Sequence, residues 1–112
     1  MSDLIVTGGM LIDGTGSPAR RADVRVRGGV IVEVGPDLVP QGEVEVDARG
    51  AYVTPGFIDS HTHLDPTMFW DPACDPMPQH GVTTALIGNC SLSLAPVRPV
   101  HLEEVMDVFC FI

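Results

Sequence analysis

Two histidines separated by a single residue are the clearest candidates for chemistry in this sequence of 112 residues. His61 and His63 close a short segment that begins with the apolar pair Phe57-Ile58 and then turns polar. In an extended strand, residues i and i+2 point to the same side, so both imidazoles can reach one metal ion. Imidazole is a common ligand of Zn²⁺. The pattern predicts a metal site at the end of a buried strand; the alternative is a solvated or hydrogen-bonded histidine pair.

The three cysteines offer thiols without suggesting a disulfide framework. Cys74, Cys90 and Cys110 are an odd number with no Cys-x-x-Cys pair, and the first residues do not read as a secretory signal. These features favour free thiols or a metal ligand over disulfides, and they predict a cytoplasmic protein. We expect Cys74 to be an incidental thiol in a proline-rich loop and Cys110 to belong to the core.

Short strands separated by glycine turns occupy the first half of the sequence. Valine occupies every second position over residues 23–27 and again over residues 30–34, on either side of Gly28-Gly29. This pattern predicts a β-hairpin. A similar alternation over residues 44–47 predicts a further half-exposed strand. We therefore expect residues 1–52 to form a small antiparallel sheet.

The second half predicts two buried strands and one helix. The first strand starts at Phe57, and the second covers Val82–Ile87 between two glycines. Four prolines between residues 65 and 80 predict a loop with at most a short helical turn. The acidic residues that open segment 103–109 favour the beginning of a helix.

Composition argues against several classes of partner. The chain has 15 acidic residues against 6 basic ones, which gives a formal net charge of −9. Such a charge disfavours nucleic acid and anionic membrane surfaces, both of which require cationic side chains. No apolar run approaches the roughly 18 residues of a membrane span. We expect a globular protein with neither nucleic acid nor membrane as a partner.

Several motifs together resemble a known enzyme family. The segment Thr54–His63 resembles the first-strand signature of the metal-dependent amidohydrolase superfamily. Asp13–Gly16 and the valine-rich hairpin resemble the β-sandwich domain that precedes the barrel in those enzymes. Gly81–Thr84 and Gly88–Pro96 are similar to the narrower N-acyl-D-amino-acid deacylase, or D-aminoacylase, branch. The resemblance extends over essentially the whole chain.

This resemblance implies a fold and a set of metal ligands. The fold would be α/β, with a β-sandwich segment over residues 1–52 and the first two strands of a (β/α)₈ TIM-like barrel over residues 53–112. His61 and His63 would occupy the metal positions of the first barrel strand, and Cys90 would supply a thiolate that can bridge two ions. The cofactor would be one or two Zn²⁺ ions, although the donor types also suit cobalt or nickel. The catalytic carboxylate and two further histidines would lie downstream of this chain.

The same resemblance implies the reaction. Metal-activated water would hydrolyse an N-acyl amide, first of all that of an N-acyl-D-amino acid, so the partner would be a small molecule. Asp59 shares a strand face with His61 and is expected to orient it, the alternative being an ordinary strand-end carboxylate. Another amidohydrolase activity, on cyclic amides or imides as in dihydropyrimidinases, stays open, as does a homo-oligomer. The alternative from a different class is an inactive truncated fragment that acts only as a structural or interaction segment.

The sequence ends on an apolar run, and two barrel strands cannot close a barrel, so we expect it to be an amino-terminal fragment. The isolated chain should aggregate or require a partner chain, because strand residues such as Phe57 and Leu86 would be left without cover. Size-exclusion chromatography combined with a thermal melt tests this expectation. A monodisperse monomer that melts cooperatively would contradict it.

Overall fold

The computed structural model describes residues 2–68, 70–90, 93 and 96–109. The chain folds as two compact units, Met1–Pro55 and Gly56–Ile112. The first unit consists of the strands β1 (Leu4–Thr7), β2 (Met10–Leu11), β3 (Arg20–Arg21), β4 (Asp23–Arg27), β5 (Val30–Gly35), β6 (Val44–Asp47) and β7 (Tyr52–Val53). The second contains β8 (Phe57–Asp59), α1 (Leu64–Thr67), β9 (Val82–Ala85) and α2 (Leu102–Phe109), with 3-10 turns at Pro78–His80 and Pro99–His101.

The structure confirms the predicted hairpin. β4 pairs with β5 in antiparallel register from Asp23↔Gly35 to Arg27↔Val30, and Gly28-Gly29 forms the turn. Both glycines have positive φ, at 56° and 82°, which the absence of a Cβ makes accessible. A two-residue turn of this kind matches the right-handed twist of the flanking strands and so fixes the hairpin register.

The first unit has two mixed sheets, so the expectation of a purely antiparallel sheet is wrong. The four-stranded sheet has the order β5-β4-β1-β6, in which β1 pairs antiparallel with β4 and parallel with β6. In the three-stranded sheet, β3-β2-β7, the pairing of β2 with β7 is also parallel. Parallel neighbours require a long connection, and the hairpin with its flanking turns supplies one between β1 and β6.

The buried core of the first unit is small. Ile5 is fully buried, and a cluster of low exposure lies around Leu11 and Val24. In contrast, Val30 is 63% exposed and Val44 is 59% exposed. Residues 44–47 form the predicted strand, but all four are exposed rather than alternately buried, because the described residues do not cover either of its faces.

Two buried charged side chains on β4 secure the loops around the larger sheet. Asp23 Oδ1 accepts a hydrogen bond from the backbone N–H of Gly8 at 2.8 Å, and Oδ2 accepts one from Leu38 at 2.9 Å. Arg25 Nε donates to Glu43 Oε1 at 2.6 Å. Buried charges are tolerated when partners of this kind satisfy them, and here they hold the chain on both sides of the hairpin.

β8 and β9 correspond to the two apolar runs of the second unit and pair in parallel, with Phe57 opposite Val82 and Asp59 opposite Ala85. The expectation that these strands are buried is wrong: Phe57 is 61% exposed and Ile58 is 67% exposed. The described residues supply no layer over this two-stranded sheet, so its apolar side chains stay accessible.

The connections of the second unit agree closely with the sequence pattern. The proline-rich loop contains α1 and the 3-10 turn Pro78–His80, one short turn more than expected, and α2 begins one residue before the predicted start. Cys74 is a half-buried free thiol in this loop, whereas Cys110 lies outside the described residues. None of the described helices has the length and apolar character needed to cross a membrane.

In the full-length protein, Glu43→Gln is expected to lower the melting temperature by several degrees near neutral pH, because the Arg25 guanidinium would lose a charged partner. Hydrogen bonds from the backbone N–H groups of Glu43 and Gln41, and then from Arg25, lower the pKa of Glu43 from 4.5 to about 2. A lowered folded-state pKa stabilises the fold above the unfolded pKa and loses that contribution as the pH falls through the folded value. The difference from wild type should therefore shrink as the pH falls from about 4.5 toward about 2.

Glu45→Gln is the matched control, since Glu45 lies on β6 and makes an exposed hydrogen bond with Thr7 at 3.3 Å. Its effect on the melting temperature should be much smaller, as is usual for exposed polar contacts. Equal destabilisation by both variants, or a Glu43→Gln effect that stays constant between about pH 7 and about pH 3, would contradict the assignment.

Candidate metal centre

The strand pairing places the chemically interesting residues at one edge of a sheet. His61 and His63 directly follow β8, and Cys90 lies five residues after the end of β9. Because β8 and β9 run parallel, their carboxyl ends face the same way and the segments that follow them can meet. Two distant parts of the sequence are thereby brought to one place.

Hydrogen bonds between those two segments hold them together. Leu86 N–H donates to Asp59 O at 2.8 Å, which extends the ladder beyond the end of β9. Thr62 Oγ1 donates to Leu86 O at 3.0 Å, and Asn89 Nδ2 donates to Ser60 O at 2.5 Å. Each bond joins a residue within two positions of a histidine to a residue of the segment that leads to Cys90, so the backbone on both sides of the site is fixed.

Gly56 permits the close approach of the two strands. A Cβ at this position would lie 2.1 Å from Thr83 Oγ1 and 2.2 Å from its Cγ2. Contacts this short do not occur in real structures, so any side chain at Gly56 would push β8 away from β9. The glycine in the Thr54–His63 motif therefore supports the strand pairing on which the site depends.

The structure brings His61, His63 and Cys90 together. One nitrogen of each imidazole and the Cys90 sulfur all lie within 4.8 Å of one another. The two rings have centroids 6.3 Å apart and planes inclined by 57°. His61 is exposed, and the other two residues are half-buried. Two nitrogens and a thiol at this spacing can converge on one ion with little rearrangement.

The surroundings of the cluster fit a metal ion. Among the described residues, the Nδ1 atom of His63 is buried without a hydrogen-bond partner. Such atoms are uncommon because burial removes their bonds to water. Imidazole and thiolate are the donors that zinc prefers in proteins, and cobalt or nickel also accept them. The residues present therefore suit a divalent transition metal.

Asp59 lies beside the cluster. Its Oδ1 atom accepts a hydrogen bond from the backbone N–H of His61 at 3.1 Å. The carboxylate thus acts on the main chain that carries His61. It also contributes to the wall of the cleft into which both histidines open.

That cleft has a volume of about 410 Å³, and both polar and apolar side chains line it. The polar ones are Asp59, Thr62, Thr67 and the two histidines, and the apolar ones are Leu64, Pro66, Trp70 and Met77. A cleft that combines apolar side chains with a few polar groups is typical of small-molecule sites.

Sequence reasoning assigns no role to two residues at this site, Thr62 and Asn89, and it predicts a loop carboxylate for Asp65, the alternative being a contact with metal or with a substrate loop. Thr62 and Asn89 position the backbone as described above. The only sequence feature that could have indicated this role is their position next to His61 and Cys90. Asp65 in α1 is 3% exposed, and its Oδ2 atom has no hydrogen-bond partner among the described residues. Its burial could not be recognised from a proline-rich loop sequence.

Comparison with known proteins gives consistent matches. The sequence profile of the amidohydrolase family matches residues 44–103. An N-acyl-D-aspartate deacylase from Alcaligenes xylosoxydans xylosoxydans is 44% identical over 96% of this chain, which spans only 22% of that relative. A mutant D-aminoacylase solved with CuCl₂ matches 94% of this chain and 23% of its own, with a TM-score of 0.77 and 42% identity. An N-acyl-D-glutamate deacylase from Bordetella bronchiseptica was solved with zinc and a phosphonate inhibitor. It matches 86% of this chain and 20% of its own, with a TM-score of 0.73 and 41% identity.

Cys90→Ala is expected to weaken zinc binding by at least about 100-fold, since even residues that merely support metal ligands contribute 10–100-fold. Cys74→Ala is the matched control, because Cys74 is also a half-buried free thiol but lies outside the cluster. Zinc content of the full-length protein after dialysis measures the effect. When Co²⁺ replaces Zn²⁺, the protein should show a thiolate-to-metal absorption band. Cys90→Ala should abolish this band, and Cys74→Ala should retain it. Identical metal content and spectra in both variants would exclude Cys90 as a ligand.

Proposed function

The chain belongs to the amidohydrolase family, and from this premise we propose that the full-length protein is a metal-dependent hydrolase of N-acyl-D-amino acids. The observation that carries the proposal is the convergence of His61, His63 and Cys90 within 4.8 Å. The relatives support the reaction: one is an N-acyl-D-aspartate deacylase, and the matching structures are a D-aminoacylase and an N-acyl-D-glutamate deacylase.

We propose His61, His63 and Cys90 as ligands of one or two divalent ions, with Zn²⁺ as the first candidate. The Bordetella relative was solved with zinc and the D-aminoacylase with copper chloride, and the donor set here suits the same class of ion. A divalent ion held there supplies the Lewis acidity that polarises an amide carbonyl and activates water.

The remaining residues of the site position the backbone around the proposed ligands and line the cleft. Asp59 holds the main chain of His61 through its N–H, and Thr62 and Asn89 hold the two ligand-bearing segments against each other. The cleft gives a small N-acyl amino acid access to the ligand cluster. A proton must also reach the leaving amine, and we assign that step to a carboxylate outside this chain.

This function agrees with a division of the chain into two structural parts. We propose that residues 1–52 belong to a β-sandwich and that residues 53–112 contain the first two strands of a (β/α)₈ barrel. The parallel pairing of β8 with β9 supports the second assignment, as does the location of the ligands at their carboxyl ends, where barrel enzymes keep their active sites. We also propose a cytoplasmic location, because the three cysteines suggest no disulfide framework.

The zinc-loaded full-length protein is expected to release acetate from N-acetyl-D-amino acids and to process the L-enantiomers at least about 100-fold more slowly, as a chiral pocket permits. Treatment with a chelator should abolish the activity, and Zn²⁺ should restore it. His63→Ala should reduce turnover to background, whereas His80→Ala, which changes an exposed histidine of the 3-10 turn, should retain it. The assay is discontinuous detection of free amino acid.

Two results would contradict the proposal. Hydrolysis of hydantoins or dihydropyrimidines without hydrolysis of N-acyl amino acids would indicate the cyclic-amide alternative. A well-folded full-length protein that binds Zn²⁺ but hydrolyses neither substrate class would indicate a role other than amide hydrolysis.

A further inference from the structure

One buried carboxylate of the second unit has no part in the site described above. Asp65, the second residue of α1, is only 3% exposed. Its Oδ2 atom is buried and has no hydrogen-bond partner among the described residues. A carboxylate that gives up its hydration without gaining a partner is costly to the fold. The burial of Asp65 therefore calls for a donor close to α1.

Basic side chains that could serve as this donor are scarce. The second unit has no lysine and a single arginine, Arg98, which is exposed. Three of its four histidines, His61, His80 and His101, are exposed as well. His63 is the one basic side chain of this unit that is partly buried. It is therefore the basic residue best placed to meet a buried carboxylate.

His63 has a deficit that matches that of Asp65. Its Nδ1 atom and Asp65 Oδ2 are the two buried side-chain atoms without a hydrogen-bond partner among the described residues. Only Leu64 separates the two residues in the sequence. Side chains two positions apart within a helix do not face each other. His63 precedes α1, however, with φ −114° and ψ 40°, so the helical spacing does not direct its ring away from Asp65.

Metal ligation explains why the imidazole needs such a partner. A histidine that binds an ion uses one ring nitrogen and can donate a hydrogen bond from the other. In protein metal sites this second N–H commonly donates to a carboxylate, which fixes the tautomer and the orientation of the ring. Asp65 is absent from the described lining of the cleft, whereas His63 is part of it. The carboxylate is thus placed to act on the ligand and not on a substrate.

We propose that Asp65 is a positioning residue for His63. When Nε2 of His63 binds the ion, its Nδ1–H donates to Asp65 Oδ2, which satisfies both buried atoms and holds the ring toward His61 and Cys90. This inference rests on the ligand assignment made under the proposed function. It adds the group that orients one of those ligands, a role distinct from that of Asp59, which accepts from the main-chain N–H of His61.

The test is a double-mutant cycle on the zinc dissociation constant of the full-length protein, measured by competition with a chelator. Asp65→Ala is expected to weaken zinc binding about 10- to 100-fold, the scale found for residues that support metal ligands. In a His63→Ala background the same change should have less than about a twofold effect, because the group on which Asp65 acts is then absent. With Co²⁺ in place of Zn²⁺, Asp65→Ala should keep the thiolate-to-metal band of Cys90.

Asp65→Asn provides a second variant that keeps the size of the buried side chain. Its amide oxygen still accepts a hydrogen bond but carries no charge, so zinc binding should weaken less than in Asp65→Ala. The cycle is repeated with this variant, and its effect should also disappear in the His63→Ala background. A folding defect in Asp65→Ala would therefore not prevent the test.

Asp71→Asn is the matched control for a general effect on the loop after α1. The Asp71 carboxylate accepts hydrogen bonds from the backbone N–H groups of Ala73 at 3.1 Å and Asp75 at 2.8 Å, and it lies outside the ligand cluster. Its replacement should change the zinc dissociation constant by less than about twofold.

Three results would overturn the inference while leaving the proposed function intact. These are an unchanged zinc dissociation constant in both Asp65 variants, an equal weakening with and without His63, and an equal weakening by Asp71→Asn. The second result would indicate that Asp65 binds the ion directly or acts independently of His63. If His63→Ala alone left zinc binding unchanged, the ligand assignment would fail, and with it both the proposed function and this inference.

Discussion

The candidate site depends on the parallel pairing of β8 with β9. An antiparallel pair would place the two carboxyl ends at opposite edges of the sheet, and Cys90 would lie far from the histidines. Leu86 N–H and Asp59 O extend the pairing by one bond beyond β9. Gly56 permits the same pairing at the amino end of β8, because any Cβ at this position would collide with the side chain of Thr83.

Beyond the end of the sheet, side chains replace the backbone ladder. The segments after β8 and β9 have turned out of the strand conformation, yet their backbone carbonyls still need hydrogen-bond donors. Thr62 and Asn89 supply them through a hydroxyl and an amide, at 3.0 Å and 2.5 Å. Because both residues are sequence neighbours of ligand candidates, satisfying the backbone also fixes where the ligands lie. Local hydrogen-bonding requirements and the geometry of the candidate ligand cluster are thus coupled.

The parts of the fold that local patterns determine could be predicted from the sequence, while pairing over long distances could not. Alternation and a Gly-Gly turn were enough for the hairpin, because both signals lie within one short segment. β1 pairs in parallel with β6, and β2 with β7, across long connections. The sequence of those connections does not indicate whether the strands that they join run parallel or antiparallel. The prediction that Phe57 is buried was wrong. An apolar run shows that a strand is able to be buried, whereas its actual exposure depends on whether other residues cover the strand. For the site, the His-x-His spacing supported a shared metal, but only the family resemblance connected Cys90 with it.

All the described residues that line the cleft come from the segment between Asp59 and Met77. The histidines follow the end of β8, whereas Trp70 continues the turn that ends α1 and Met77 is joined to the start of β9 by a backbone hydrogen bond. The histidines and the apolar lining residues are therefore positioned by different hydrogen bonds. Since function on a common fold is set by the residues of the site, this arrangement allows the apolar lining to differ between relatives while the candidate ligands keep their places.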